Sequence, residues 1–246
     1  MKKRLLYELG LWIEVDEYRD GRYGARGEKR KEKKQATPEQ IKRQNQFNRT
    51  RKLRRRMRFN FKEDDLYWTF TFDKKMRPGT MAEAKNIFKY LREEIRKICR
   101  SQEKQFKWIV RIERGSKGAL HIHLVMNAIE HPRQIAKLWR DKLGRKYGHA
   151  HLEFMYEEGG FAELAAYMTK PEEEGEEVYW SHSRNLPMPE PEVEMVKDNL
   201  DNREDIEVPE GYYLDKSSLV EGINPVTGYP FRHYTLVRIR GDDKAA

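Results

Sequence analysis

Between Asp65 and Lys170 the hydrophobic repeat switches from two residues to 3.6 and back, and this restricts the fold more than any other feature. DLYWTFTFD (65–73) alternates: Trp68, Phe70 and Phe72 point one way, and Tyr67, Thr69 and Thr71 the other, as in a strand. Arg77-Pro78-Gly79 breaks it, and Thr80 can cap a helix beginning there. TMAEAKNIFKYLREEIRKICR (80–100) places Ala84, Ile87, Phe88, Leu91, Ile95 and Ile98 on one helical stripe. FKWIVRIER (106–114) and ALHIHLVMN (119–127) are β-rich runs joined by Gly115-Ser116-Lys117-Gly118, a hairpin signal. HPRQIAKLWRDKL (131–143) reads as a helix, HAHLEFMY (149–156) as a strand, and GGFAELAAYMTK (159–170) as a helix ended by Pro171. The order β-α-β-β-α-β predicts an α+β fold with a ferredoxin-like, RRM-like antiparallel sheet whose first and third strands are central.

The flanks carry the charge. Lys and Arg outnumber Asp and Glu by 50 to 41 in the 246 residues. Only Glu28, Glu32 and Glu39 oppose about fifteen basic residues between Arg26 and Arg58. Thr37-Pro38-Glu39-Gln40 reads as a helix start, with Thr37 the N-cap and Gln40 completing a capping box. A long, mostly solvated basic helix then runs to about Phe59. Its functional reading is contact with nucleic-acid phosphates through Arg51, Lys52, Arg54, Arg55, Arg56 and Arg58; its plain reading is a charged surface. The acidic, Pro-rich stretches 171–177 and 187–210 read as a linker or mobile arm, and Tyr234–Ile239 as a C-terminal strand. The expected division is therefore 1–58, an N-terminal segment with the basic arm; 59–187, a catalytic domain; and 188–246, an acidic linker and tail.

No apolar run reaches the roughly 18 residues of a membrane span. The N-terminus starts like a signal peptide but meets Glu8, Glu14 and Asp16 too early, so a cytoplasmic protein is expected. The single Cys99 excludes an intramolecular disulfide and a thiolate zinc cluster. There is no phosphate-binding loop of the G-x-x-x-x-G-K type, no G-x-G-x-x-G and no H-E-x-x-H.

Two groups of residues could carry chemistry. His121 and His123, at i and i+2 of a strand, share a face, and Glu113 lies across the hairpin turn. Two imidazoles and a carboxylate suit a divalent ion such as Mn²⁺ or Mg²⁺, with zinc also possible. The alternative is a pair of half-buried histidines with ordinary hydrogen bonds. Tyr167 and Lys170, at i and i+3, share a helix face with Glu163. A tyrosine hydroxyl is a nucleophile once its proton is taken, and a lysine can offset charge on a phosphate. The alternative is a surface tyrosine and a helix-terminal cation. His149-Ala150-His151 repeats the H-x-H spacing without a carboxylate across a turn and reads as surface alternation, while His131, His182 and His233 read as structural or solvated.

Taken in order, YWTFTF (67–72), HIHLV (121–125) and YMTK (167–170) resemble the three motifs of the HUH endonucleases, the rolling-circle replication initiators of plasmids and single-stranded DNA phages. YELGLWIEVDEYRDGRYG, SRNLPMPEP and the tail GYYLDKSSLVEGINPVTGYPFRHYTLVRI extend the resemblance to a Rep-like branch carried by mobile elements and prophages of Gram-positive bacteria. The resemblance implies a metal-dependent nickase. His121, His123 and Glu113 would hold the ion, and Tyr167 would attack single-stranded or hairpin origin DNA, leaving a 5′-phosphotyrosine and a free 3′-OH. Lys170 would offset charge, and Arg184, within Ser183-Arg184-Asn185, would contact the DNA backbone. A host polymerase and a host helicase would be its partners. The motif carries one tyrosine, so no second cleavage by a neighbour on the same helix is available. The competing reading is a non-catalytic single-stranded nucleic-acid-binding protein built on the same sheet.

Overall fold

The computed structural model describes residues 2–19, 36–115, 118–142, 148–156, 161–171, 177–197, 206–224 and 228–239. The basic run up to residue 35, the acidic stretches 172–176 and 198–205, and the turn residues Ser116 and Lys117 lie outside them. The chain divides into two compact units, one formed by residues 49–187 and the other by 1–48 with 188–246.

The 49–187 unit is built on five strands: β3 (Leu66–Phe70), β4 (Trp108–Arg114), β5 (Leu120–Met126), β6 (Ala150–Phe154) and β7 (Val178–His182), numbered after β1 and β2 of the other unit. They run in the order β6-β3-β5-β4-β7, every pair antiparallel. The first four reproduce the expected arrangement, with the first and third central; β7 is an addition on the β4 side.

The alternation of β3 divides the sheet into two faces. On one, Trp68, Phe70, Val110, Ile112, Ile122 and Leu124 pack beneath α2 (Met81–Ser101), which turns Ala84, Phe88, Leu91 and Ile95 inward. Thr80 caps that helix, its hydroxyl accepting from the Glu83 amide at 3.2 Å. α3 (Arg133–Lys137) continues into a π turn at Leu138–Lys142 and adds Ile135 and Trp139 to the same core. Gly148 brings β6 in. A Cβ there would stand 2.2 Å from the Thr71 carbonyl, so no other residue allows the approach that sets β6 beside β3.

The second face packs the C-terminal half of α1 (Pro38–Asn60) and α4 (Ala162–Met168). Leu53 and Met57 of α1 meet Ile109, Val125, Phe161, Ala165 and Met168. The capping box forms as expected: Gln40 N–H donates to Thr37 Oγ1 at 3.3 Å, and Thr37 N–H to Gln40 Oε1 at 3.0 Å. The expectation of a mostly solvated helix holds only for its first half. Arg55 and Arg58 are buried with Leu53 and Met57, because this half lies against the sheet.

The other unit is a second five-stranded antiparallel sheet: β1 (Lys2–Leu9), β2 (Trp12–Tyr18), β8 (Glu192–Val196), β9 (Tyr212–Ile223) and β10 (Pro230–Arg238), in the order β8-β1-β2-β10-β9. The signal-like N-terminus is a hairpin turning at Gly10, whose φ of 73° is in the left-handed region. Part of the stretch expected to be a linker is β8, paired with β1. Val15, Tyr234 and Leu236 form a small core. Beside it Glu17, fully buried, accepts from Lys2 Nζ, Arg4 Nε and Arg232 Nη2, each at 2.8 Å. Burial alone would raise the Glu17 pKa, but these three cations hold it below its ordinary value. Among the described residues no helix is long and apolar enough to cross a membrane.

Candidate active site

The hairpin β4–β5 carries the acid and the imidazoles. Its register sets Glu113 opposite His121 and Arg111 opposite His123. Thr69 of β3 lies opposite His123 on the other side. Ile112 and Ile122 go to the α2 core, so these polar residues all face the α1–α4 side.

α4 delivers Tyr167. The helix starts at Phe161, held at φ 59°, and buries Ala165 and Met168. The Met168 carbonyl at its end and the Lys170 carbonyl just beyond accept from Arg111 Nη1 at 3.4 and 2.9 Å, which suits a cation at a helix C-terminus. Thr169 bonds Thr50 of α1 at 2.8 Å. Tyr167 is therefore held from both the sheet and α1.

The Tyr167 hydroxyl donates to Glu113 Oε1 at 2.7 Å and lies 2.8 Å from His123 Nε2. A phenol has one proton, so His123 Nε2–H donates to Tyr167, and its Nδ1 accepts from Tyr67 Oη at 2.9 Å. Thr69 Oγ1 is 3.3 Å from the same Nδ1. Arg111, 2% exposed, donates from Nε to Glu113 Oε2 at 2.6 Å, and its guanidinium lies 5.9 Å from the centre of the Tyr167 ring. Arg111 Nη2 is buried with no hydrogen-bond partner among the described residues.

These contacts set the electrostatics. The His123 imidazole 3.5 Å away, together with hydrogen bonds from Arg111 and Tyr167, overcomes burial and holds Glu113 well below the usual carboxylate range. Burial, then the bond to Glu113 and its charge, push the Tyr167 phenol far up. Burial and the neighbouring His123 lower His121. The resting site thus keeps its proton on Tyr167 and its negative charge on Glu113.

Beside Tyr167 opens a cleft of about 750 Å³, lined by Tyr67, Phe154, Tyr156, Phe161 and two carboxylates, Glu153 and Glu163. Phe154 and Tyr156 are exposed at its rim. Aromatic faces of this kind stack bases.

The structure brings Glu113, His123 and Tyr167 together. His121 stands next to Glu113 in register, its ring centre 6.4 Å from that of His123. Glu113 Oε1 and His123 Nε2 are 3.5 Å apart, as two ligands of one divalent ion can be, and the donor chemistry fits such an ion. The Tyr167 hydroxyl stands between them, and no three Asp, Glu, His or Cys side chains among the described residues are arranged to hold a metal as they stand. Lys170 does not share the helix face with Tyr167: α4 ends at Met168, and Lys170 is exposed beyond it. Of the basic residues expected to meet DNA, Lys52 and Arg184 are exposed; Arg51, Arg54 and Arg56 are half-buried, and Arg56 lies 2.6 Å from His182. His151 is exposed and pairs with Glu153 at 3.3 Å, as surface alternation requires.

Arg111, Tyr67 and Thr69 are the site residues that motif reading missed. Period-two alternation puts Tyr67 and Thr69 on one face and Arg111 with Glu113 on one face, so the signal was present in the strands themselves.

Residues 65–172 match the family model described as replication-associated protein ORF2. The match runs from β3 through α4, covers less than half of the chain, and points to a role in DNA replication. No curated protein and no solved structure matches the chain.

Proposed function

We propose that the chain initiates replication by nicking and rejoining single-stranded DNA at an origin, with Tyr167 as the nucleophile. The observation that carries this reading is the convergence of Tyr167, Glu113 and His123 on one hydroxyl, at the mouth of an aromatic cleft. A phenol bonded to a carboxylate has its proton acceptor in place.

In the forward step the Tyr167 oxygen attacks the scissile phosphorus, and the bond from phosphorus to the 3′ oxygen breaks. The phenol proton passes through Glu113, whose depressed pKa makes it a relay and not a resting place, to the departing 3′ oxygen, which becomes a free 3′-OH. The phosphate stays on Tyr167 as a 5′-phosphotyrosine. Attack by a 3′-OH on that ester reverses every bond change and rejoins a strand without ATP. Glu113, His123 and His121 would hold a divalent ion, Mn²⁺ or Mg²⁺, which when bound supplies Lewis-acid polarisation of the phosphate. Arg111 sits below the Tyr167 ring, and its buried cation offsets negative charge as the phenolate forms. Lys170 and Lys52, both exposed, would meet phosphates outside the site. The 3′-OH would prime a host polymerase, and a separate helicase would open the duplex.

Covalent trapping tests this. The protein is incubated with hairpin-rich single-stranded DNA and Mn²⁺ and run on denaturing gels. We expect an adduct lost in EDTA, in Tyr167→Phe by at least about 10⁴-fold, and in His123→Ala, but kept in His149→Ala. Tight DNA binding with no adduct on any substrate containing the cognate origin would make this a non-catalytic single-strand binder instead.

A further inference from the structure

The α2 side of the 49–187 unit carries a second cleft, of about 580 Å³, far in character from the first. Arg92, Arg96 and Arg100 line it from α2, one helical turn apart, so their Cα atoms step about 6 Å along one stripe. Lys104 and Arg184 complete the cationic lining, and no acidic side chain belongs to it. Glu93, at its border, engages Arg92 and Arg96. Arg92 Nε is buried and has no hydrogen-bond partner among the described residues.

The Ser183-Arg184-Asn185 element explains how one cation is presented. Ser183 exchanges bonds with β4: its hydroxyl accepts from the Trp108 amide at 3.1 Å, and its amide donates to the Trp108 carbonyl at 2.9 Å. Asn185 Nδ2 donates to the Phe106 carbonyl at 3.3 Å. Ser183 and Asn185 are thus occupied in holding the loop, and Arg184 between them stands exposed over the cleft.

We propose that this cleft grips the phosphate backbone of double-stranded DNA. Five cations against one bordering carboxylate, Glu93, leave an excess of positive charge that selects a polyanion. Single strands are held by basic grooves with open aromatic platforms, whereas Phe106 and Trp108 here are buried and offer no stacking face. A grip on phosphates without base stacking fits a duplex. β4 separates the two clefts: Trp108, at its start, lines this one on the α2 face, and Glu113, near its end, serves the tyrosine on the other. One chain thereby has separate places for the duplex beside an origin and for the strand being cut. The inference rests on the nickase reading only for the identity of the polymer.

The test is fluorescence anisotropy of the full chain with a labelled duplex and with one of its single strands, over a salt series. The variant is Arg96→Gln with Arg100→Gln and Arg184→Gln. The control removes the same charge elsewhere, at Lys74, Lys75 and Lys97. The cleft variant should weaken duplex binding at least about tenfold and reduce the salt slope by about two to three. Single-strand affinity and the control's duplex affinity should stay within about twofold. Arg184→Gln alone should lower the slope by about one, which guards against misfolding of the triple variant. Equal losses in control and cleft variants, or equal losses for duplex and single strand, would overturn the proposal. So would inorganic phosphate, at matched ionic strength, displacing the duplex at low millimolar concentration, since that marks a small-anion site. Binding is read without cleavage: an intact duplex grip in a protein that forms no adduct would sink the nickase reading and leave this one standing.

Discussion

Each of the two sheets holds a carboxylate below its ordinary pKa, and the two sit among different neighbours. Glu17 is 0% exposed and saturated by Lys2, Arg4 and Arg232. Its close partners, all at 2.8 Å, are cations, and the one phenol near it, Tyr234, reaches it only at 3.5 Å. Glu113 is 20% exposed and has one cation, Arg111, together with an imidazole and a phenol that can both move protons. The difference teaches that depression of a carboxylate pKa does not by itself mark a catalytic group. What marks Glu113 is the kind of neighbour and the open cleft beside it.

Removing the negative charge at each position should separate the two roles. Glu113→Gln keeps the size and loses the proton acceptor, so adduct formation should fall about 10²- to 10⁴-fold, with amide exchange in β4 and β5 nearly unchanged. Undiminished cleavage in that variant would erase the contrast. Glu17→Gln should do the reverse. It removes the buried counter-charge that Lys2, Arg4 and Arg232 share, a change that costs about 3–5 kcal/mol. Hydrogen exchange should speed up in β2 and β10, while β4 and β5 keep their protection.

Tyr67→Phe sharpens the comparison at smaller scale. Tyr67 acts through His123, which it orients by one hydrogen bond, so it is a positioning residue. Cleavage should fall about 10- to 100-fold and recover in part as Mn²⁺ is raised, with the KM for DNA little changed. A purely structural tyrosine would show no metal-dependent rescue. The smallest effect is on acid stability. Glu17 is depressed in the folded chain, so its contribution is full above the unfolded carboxylate pKa near 4.3 and is lost as pH falls through the lower folded value. Protection of β2 and β10 should drop below about pH 4, and the Glu17→Gln variant should show a flatter profile there.

The sheet of the 49–187 unit was legible because its inward positions are apolar. Trp68 and Phe70, or Ile122 and Leu124, keep the period of two without interruption. The other sheet hid for the opposite reason. On β1 and β2, Lys2 and Glu17 are buried and Arg4 is half-buried, at positions that hydropathy assigns to solvent. β8 is short, acidic and preceded by prolines, and only its pairing with β1 makes it a strand. In the site, Glu113, His123 and Tyr167 were readable from spacing. The separation of Lys170 from Tyr167 was not, because the i, i+3 spacing carries no sign that α4 stops at Met168, where Arg111 of a distant strand meets the Met168 carbonyl.

The strand order β8-β1-β2-β10-β9 has a consequence for synthesis. Residues of β2 pair with residues of β10 more than 200 positions later, as Val15 does with Tyr234. At about 5–20 residues per second, the first hairpin leaves the ribosome roughly ten seconds or more before its neighbour exists. An isolated hairpin is marginal in water, so through that interval the nascent chain carries an unpaired edge while the continuous 49–187 segment can already close on itself. A ribosome stalled before β10 would therefore release a chain with its tyrosine site assembled and its second sheet missing, a product that proteases and chaperones would meet first at its N-terminus.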